Sequence, residues 1–258
     1  MAERWVDLNC DMGESFGAYG LGRDDEMLEL ITSANIACGF HAGDPRVMER
    51  TVTRAAERGV GIGAHVGFPD LVGFGRRPLA ASAAEVRTDV LYQVGAVFAF
   101  CRALGVPLQH VKPHGALYNM ALRDRALAEA VAQAVAAFDR DLILVAPKGS
   151  ELALAGERAG LPVAYEGFAD RNYNPDGTLV DRSRPDAVIA DAGLAARRVV
   201  RMVTEGVVEA VDGTVIPHPV HTVCIHGDNP EAVALARAVR RRLEEAGVRV
   251  APMGRVRG

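Results

Sequence analysis

Seven short segments of the chain are almost continuously apolar, and longer stretches of mixed polarity separate them. The short segments are Trp5–Cys10, Ser33–Cys38, Val60–His65, Gln109–Pro113, Leu142–Ala146, Val163–Gly167 and Thr222–His226. Brief runs rich in Val, Ile and Leu predict strands buried on both faces, as in a parallel sheet. The first run also alternates, and period two puts Asp7, Asn9 and Asp11 on one face. The longer stretches read as amphipathic helices with recognisable starts. Asp44-Pro45 supplies an N-cap and a first-turn proline. Ser82-x-x-Glu85 is a capping box that opens a helix toward Leu104. Asp124 to Phe138 and Pro185 to Glu205 are two further helices. Asn229-Pro230 opens the last one, to Ala246, and Gly247 stops it.

Strands that alternate with helices over short links predict right-handed βα units, here seven. No Ser/Gly/Pro-rich linker divides the chain, so residues 1–258 are expected to form one domain. Residues 207–217 read as a small β-hairpin ahead of the last strand. Two loops, Asp11 to Asp24 and Asp170 to Arg184, are long enough to suggest function. Seven units fit an open sheet or a closed (β/α) barrel. Polar residues decide for the barrel, because they follow nearly every strand. A barrel gathers all its strand ends on one rim, whereas an open sheet uses one switch point.

Composition removes several classes of function. The chain has 258 residues, 49% of them hydrophobic and 24% charged, ordinary globular values. Its net charge of −4 offers no nucleic-acid footprint. No apolar run reaches the ~18 residues of a membrane span, and no apolar region follows Met1-Ala2-Glu3-Arg4. Cys10, Cys38, Cys101 and Cys224 show no CxxC spacing, so a reducing cytoplasm is expected. There is no GxxxxGK[ST], no GxGxxG after a strand, no HExxH and no GxSxG. Among 29 Lys and Arg, only Lys112 and Lys148 are lysine, and both follow strands.

The predicted rim holds Asp11 and Glu14 after the first strand, His41 and Asp44 after the second, and His65 and Asp70 after the third. Lys112 and His114 follow the fourth and Lys148 the fifth. Glu166, Asp170, Arg171 and Tyr173 follow the sixth, and His226 and Asp228 the last. Each histidine has a plain structural reading, and Asp44 and Asp228 both read as helix N-caps. Taken together, the set can hold a divalent metal or work as acid and base without one. Asp11, His41 and His65 form the natural mixed N/O ligand set. Cys38-Gly39-Phe40-His41-Ala42-Gly43-Asp44-Pro45 is echoed by Cys224-Ile225-His226-Gly227-Asp228-Asn229-Pro230, a strand–Gly–acid–Pro corner suited to anions.

Long blocks of the chain resemble the LamB/YcsF family. They are Val6-Asp7-Leu8-Asn9-Cys10-Asp11-Met12-Gly13-Glu14-Ser15-Phe16-Gly17 and Ser33 through Pro45. Gly63-Ala64-His65-Val66-Gly67-Phe68-Pro69-Asp70 and Val111-Lys112-Pro113-His114-Gly115-Ala116-Leu117-Tyr118-Asn119 follow. The last two are Glu166 through Tyr173 and Cys224 through Asp228. The resemblance implies an irregular seven-stranded (β/α) barrel similar to the glycoside hydrolase/deacetylase barrels. It implies the A component of an ATP-dependent 5-oxoprolinase, which opens the lactam of 5-oxo-L-proline to L-glutamate as ATP becomes ADP and phosphate. Partner subunits B and C are implied with it, and a divalent metal is optional. Asp11, Glu14, His41, His65, Lys112 and His114 are then expected to be catalytic. Asn9, Lys148, Glu166, Arg171, Tyr173, His226 and Asp228 are expected to bind substrate. The alternatives are a metal-dependent deacetylase or carbohydrate hydrolase on the same barrel, and a non-catalytic substrate-binding subunit.

Overall fold

Seven parallel strands close into a ring. The computed structural model describes residues 4–227 and 231–257. The chain runs β1 (Trp5–Met12), α1 (Asp24–Leu28), β2 (Ser33–Ala37), α2 (Pro45–Glu57), β3 (Gly61–Val66), α3 (Ala83–Leu104) and β4 (Leu108–Pro113). It continues through α4 (Gly115–Ala121), α5 (Arg125–Phe138), β5 (Ile143–Ala146), α6 (Glu151–Arg158), β6 (Val163–Phe168) and α7 (Ala192–Glu205). It ends with β7 (Val207–Glu209), β8 (Val215–Pro217), β9 (Thr222–Cys224), α8 (Ala232–Glu245), β10 (Arg249–Val250) and a 3₁₀ turn, Met253–Arg257. The strand order is β1-β2-β3-β4-β5-β6-β9, and β9 pairs back onto β1 to close the barrel. β7 and β8 form a separate antiparallel pair. No helix among the described residues is long and apolar enough to cross a membrane.

The period-two pattern of β1 explains how the barrel is filled. Val6, Leu8, Cys10 and Met12 join the apolar layer beneath the helices. Asp7, Asn9 and Asp11 make up the alternate set and are buried inside the ring. Barrel interiors are usually packed with branched apolar side chains. This one is apolar around Ile143, Val145 and Ala164, where Met253 packs against them. Around β1, β2, β4 and β9 it is polar, with Ser33, Asn35, His110, Lys112 and Thr222 all buried.

Helix starts follow their sequence signals. Asp44 Oδ1 accepts from the amides of Arg46 and Val47, and the Ser82–Glu85 capping box is complete. One expected helix begins late. Pro185 does not open α7; Asp191 caps it by accepting from Leu194 N. Residues 186–190 instead run beside the 170–173 segment, where Asn172 N donates to Ala187 O and Ile189 N to Asp170 O. That pairing overrides local helix propensity. The short helices α1, α4 and α6 and the two-residue β10 carry too little periodicity to be read from sequence. The last barrel strand stops at Cys224, which leaves His226 on the following loop. The expected helix start at Asn229-Pro230 lies outside the described residues.

At the barrel floor, the Asp7 carboxylate accepts from Thr32 Oγ1 at 2.7 Å, Ser33 Oγ at 2.6 Å and Thr222 Oγ1 at 2.5 Å. Burial nonetheless pushes its carboxyl up to about 6, from an ordinary 3.8. Between pH 4 and 6 the folded chain therefore holds a proton that the unfolded chain has released. Asp7's contribution to stability falls as pH rises through that window and is flat above it. Asp7→Asn cannot titrate. Urea denaturation is expected to show the variant gaining about 3 kcal/mol on the parent between pH 4 and pH 7. A pH-independent difference refutes this account of Asp7.

Candidate active site

The C-terminal ends of the strands open into a cavity of about 540 Å³. Asp11, Glu14, His65, Lys112 and His114 line it, as do Arg171 and His226. At its base is the Lys112 ammonium, buried among acceptors. Nζ lies 2.8 Å from Glu166 Oε1, 3.0 Å from Asp11 Oδ1, 3.3 Å from Asn9 Oδ1 and 3.1 Å from Cys224 Sγ. Burial works against the charged form, but Asp11, Cys224 and Glu166 outweigh it and hold the ammonium well above its usual range. Lys112 is thus a fixed cation and cannot serve as a base. Burial alone would raise the Asp11 carboxyl; His65 and Lys112 reverse this and keep it well below the usual carboxylate range.

Above this cation three histidines meet. His41 stacks on His114 with ring centres 3.8 Å apart, and His65 meets His114 edge-on. Two of their tautomers follow from the backbone. His65 Nδ1–H donates to Lys112 O at 2.9 Å, and His114 Nε2–H donates to Phe74 O at 2.8 Å. The remaining nitrogens, His65 Nε2 and His114 Nδ1, then face each other at 3.0 Å as two acceptors. Asp11 Oδ2, a third acceptor, lies 3.3 Å from His65 Nε2. Such a meeting needs a proton or a cation between the groups. Both ring nitrogens of His41 are buried without a hydrogen-bond partner. Burial, with His65 beside it, drives His114 down to about 3; burial and the neighbouring His114 put His41 well below its usual value.

This donor set passes the test for a divalent metal. One ligand atom from each of Glu14, His41, His65 and His114 lies within 4.8 Å of the others. Imidazoles whose second nitrogen is tied to a backbone carbonyl are the usual arrangement around such ions. The grouping differs from the set expected from sequence. Asp11 does not fall in the cluster with His41; it groups with Cys224 and His226, and it touches the histidines only through His65.

The expected substrate-binding residues divide. Arg171 lines the cavity, its guanidinium fixed by Nε to Ala187 O and Nη2 to Val180 O. Burial and the nearby Arg182 lower its pKa to about 10. His226 is held through Nδ1 by Asp170 at 2.9 Å. Asn9 and Glu166 lie beneath Lys112 rather than on the cavity wall. Glu166 is fully engaged, by Lys112 and Asn9 on one oxygen and by Tyr118 Oη at 2.8 Å on the other. Tyr173 turns away, where its Oη accepts from Phe168 N and its ring meets His218. Lys148 is exposed and stacks over Tyr165, apart from the cavity. Asp228 lies outside the described residues.

Residues that sequence reasoning passed over include Phe74, Arg76, Tyr118 and Arg182. Phe74 holds a left-handed backbone at φ 53° and sets its ring edge-on to both His41 and His114. The Arg76 guanidinium lies over that ring. The available signal was the glycine pair around Phe74. A side chain at Gly75 would press on His41 and His114, so glycine there lets the loop close over the rings.

A closed parallel barrel with imidazoles and carboxylates on its C-terminal rim defines the architectural class. A peptidoglycan deacetylase from Bacillus subtilis shares that fold, with a TM-score of 0.50 at 12% identity over 99% of this chain and 91% of that one. The chain itself belongs to the LamB/YcsF family, whose profile matches residues 6–258. It is 57% identical to the A component of a 5-oxoprolinase from Methylococcus capsulatus, over 97% of this chain and 96% of that protein. It is similar to the crystal structure of a lactam utilization protein from Thermus thermophilus. That likeness has a TM-score of 0.91 and 53% identity, and covers 96% of this chain and 99% of the other.

The buried charges give a direct test. Lys112→Met leaves Asp11 and Glu166 buried without their cation. Unfolding free energy is expected to drop by about 3–5 kcal/mol, and adding Glu166→Gln to recover part of it. An unchanged denaturation midpoint in Lys112→Met contradicts the assignment of Lys112 as the barrel's central cation.

Proposed function

We propose that this chain is the A component of an ATP-dependent 5-oxoprolinase and that its rim cavity opens the lactam of 5-oxo-L-proline to L-glutamate, with partner subunits B and C. The observation that carries the reading is near-full-length similarity to relatives of that name, joined to a cavity that pairs a fixed cation with a base-bearing histidine cluster. A five-membered lactam resists water at neutral pH. Phosphorylating its carbonyl oxygen with ATP makes the ring carbon electrophilic and gives that oxygen a leaving group. Lacking a Walker loop, the chain leaves ATP use to the assembled enzyme.

Glu14 is assigned as base toward the attacking water. Its Oε1 lies 3.5 Å from His41 Nε2 and 3.8 Å from His114 Nδ1, so those rings can orient it. Asp11, held low and tied to Lys112, is the weaker base and orients His65. The Lys112 ammonium has four acceptors for three N–H groups, so it acts through its field on negative charge developing at the carbonyl oxygen. Such preorganised charge is typically worth several kcal/mol, on the order of 3. Arg171 faces the substrate carboxylate with the guanidinium edge its backbone bonds leave over. A divalent cation held by His41, His65 and His114, with Glu14 beside it, would supply a polarised carbonyl and a more acidic water.

Glutamate release from 5-oxoproline and ATP, with the chain alone and with subunits B and C, tests the reading. Glu14→Gln and His41→Ala are each expected to lower the rate by about 10²–10⁴ with the complex still assembled. Full turnover in both makes the chain a binding subunit. The histidine cluster favours one rival, a metal-dependent deacetylase. Chelator-sensitive release of acetate from an N-acetyl sugar, without ATP or partners, would establish that rival; dialysis against chelator is expected to leave no such activity to lose.

A further inference from the structure

We propose that His110, inside the barrel and away from the cavity, is a positioning residue that holds Asp11 and Lys112 in place through Asn35. This rests on the reading of the cavity given above. His110 is fully buried, and its Nε2 lies 2.8 Å from Asn35 Oδ1. Asn35 Nδ2 donates to Asn9 Oδ1 at 2.7 Å and to Asp11 Oδ1 at 2.8 Å. Those two oxygens are also the ones that Lys112 Nζ meets, at 3.3 and 3.0 Å. The Asn35 amide and the Lys112 ammonium therefore grip the same pair of acceptors from two sides. Were Asn35 to flip, its oxygen would face both acceptors and push them apart. Because Asn35 Oδ1 must accept, His110 Nε2 carries the hydrogen, and that N–H bars the flip.

The fold makes room for this imidazole at some expense. β3 and β4 slip in register: Ile62 faces Leu108, yet Gly63 faces His110, so Gln109 falls between the two pairs. This bulge lets both Gln109 and His110 reach the interior, Gln109 to Ser33 and His110 to Asn35. The ring lies over Gly63, where a Cβ would overlap it. Gly63 has no positive φ, so its backbone does not call for glycine; the space does. A leucine or valine fills a barrel interior at lower desolvation cost than an imidazole. A bulge, a glycine cradle and a buried polar ring together point to the hydrogen bond as the feature kept.

The test compares His110→Leu, which fills the volume without a donor, with His110→Gln, whose Nε2 takes the place of the ring Nε2. In the complex with B and C, the leucine variant is expected to lose about 10- to 100-fold in kcat with KM within about threefold, and the glutamine variant to regain most of it. Wild-type kcat in the leucine variant overturns the proposal. A second readout needs no turnover: hydrogen exchange of the Asn35 side-chain amide by ¹⁵N NMR. Protection is expected in the parent and in His110→Gln and lost in His110→Leu; equal protection in all three overturns the proposal. If the parent releases no glutamate, the lactam reading falls and the amide readout alone decides the positioning role. If the leucine variant does not fold, His110→Asn replaces it. Its shorter amide cannot reach Asn35, so its kcat must fall below that of His110→Gln, and equal values overturn the proposal.

Discussion

The arrangement depends on one buried ammonium. Lys112 Nζ draws Asp11, Glu166, Asn9 and Cys224 to itself from three strands of the ring, and each then organises others. Asp11 faces His65, and Glu166 anchors Tyr118 from α4. An arginine could not replace it. The planar guanidinium spreads its charge over a fork, whereas a compact ammonium accepts four partners around a point. In a chain that otherwise uses arginine almost throughout, the retained lysine marks the place where that geometry matters.

Around this point the interior divides into levels. Asp7, Ser33 and Thr222 form a hydroxyl-rich floor; Asn9, Asn35 and His110 form an amide level; Asp11, Lys112 and His65 reach the cavity. Thr222 Oγ1 links the first two levels by accepting from Asn9 Nδ2 at 2.6 Å. Buried polar networks carry a penalty wherever a member lacks a partner. Here nearly every donor along the column finds an acceptor, so side-chain positions at the cavity are set from below as well as from the loops.

Much of this was legible in the sequence. Seven apolar runs became seven barrel strands, and the polar residues after them separated a barrel from an open sheet. The histidines His41, His65 and His114 could be gathered because each follows a different strand. What stayed hidden has physical causes. Whether Glu166 meets substrate or only Lys112 depends on how deep its position lies in the ring, which the strand's short pattern does not fix. Tyr173 and Lys148 follow strands too, but the loops that carry them turn the side chains outward. Phe74 and Arg76 come from a loop between a strand and a helix, where no periodicity applies. The bulge that brings His110 inward changes the parity of β4, and nothing in the run Leu108–Pro113 announces it.

The 3₁₀ turn at the chain's end has an effect on traffic. Met253 is fully buried against Ile143, Val145 and Ala164, and it stoppers the ring at the end opposite the cavity. The barrel is therefore a cup rather than a tube. Reactant, water and ring-opened product share a single doorway, so departure of one must precede arrival of the next. Any protein seated over that doorway governs admission and exit alike.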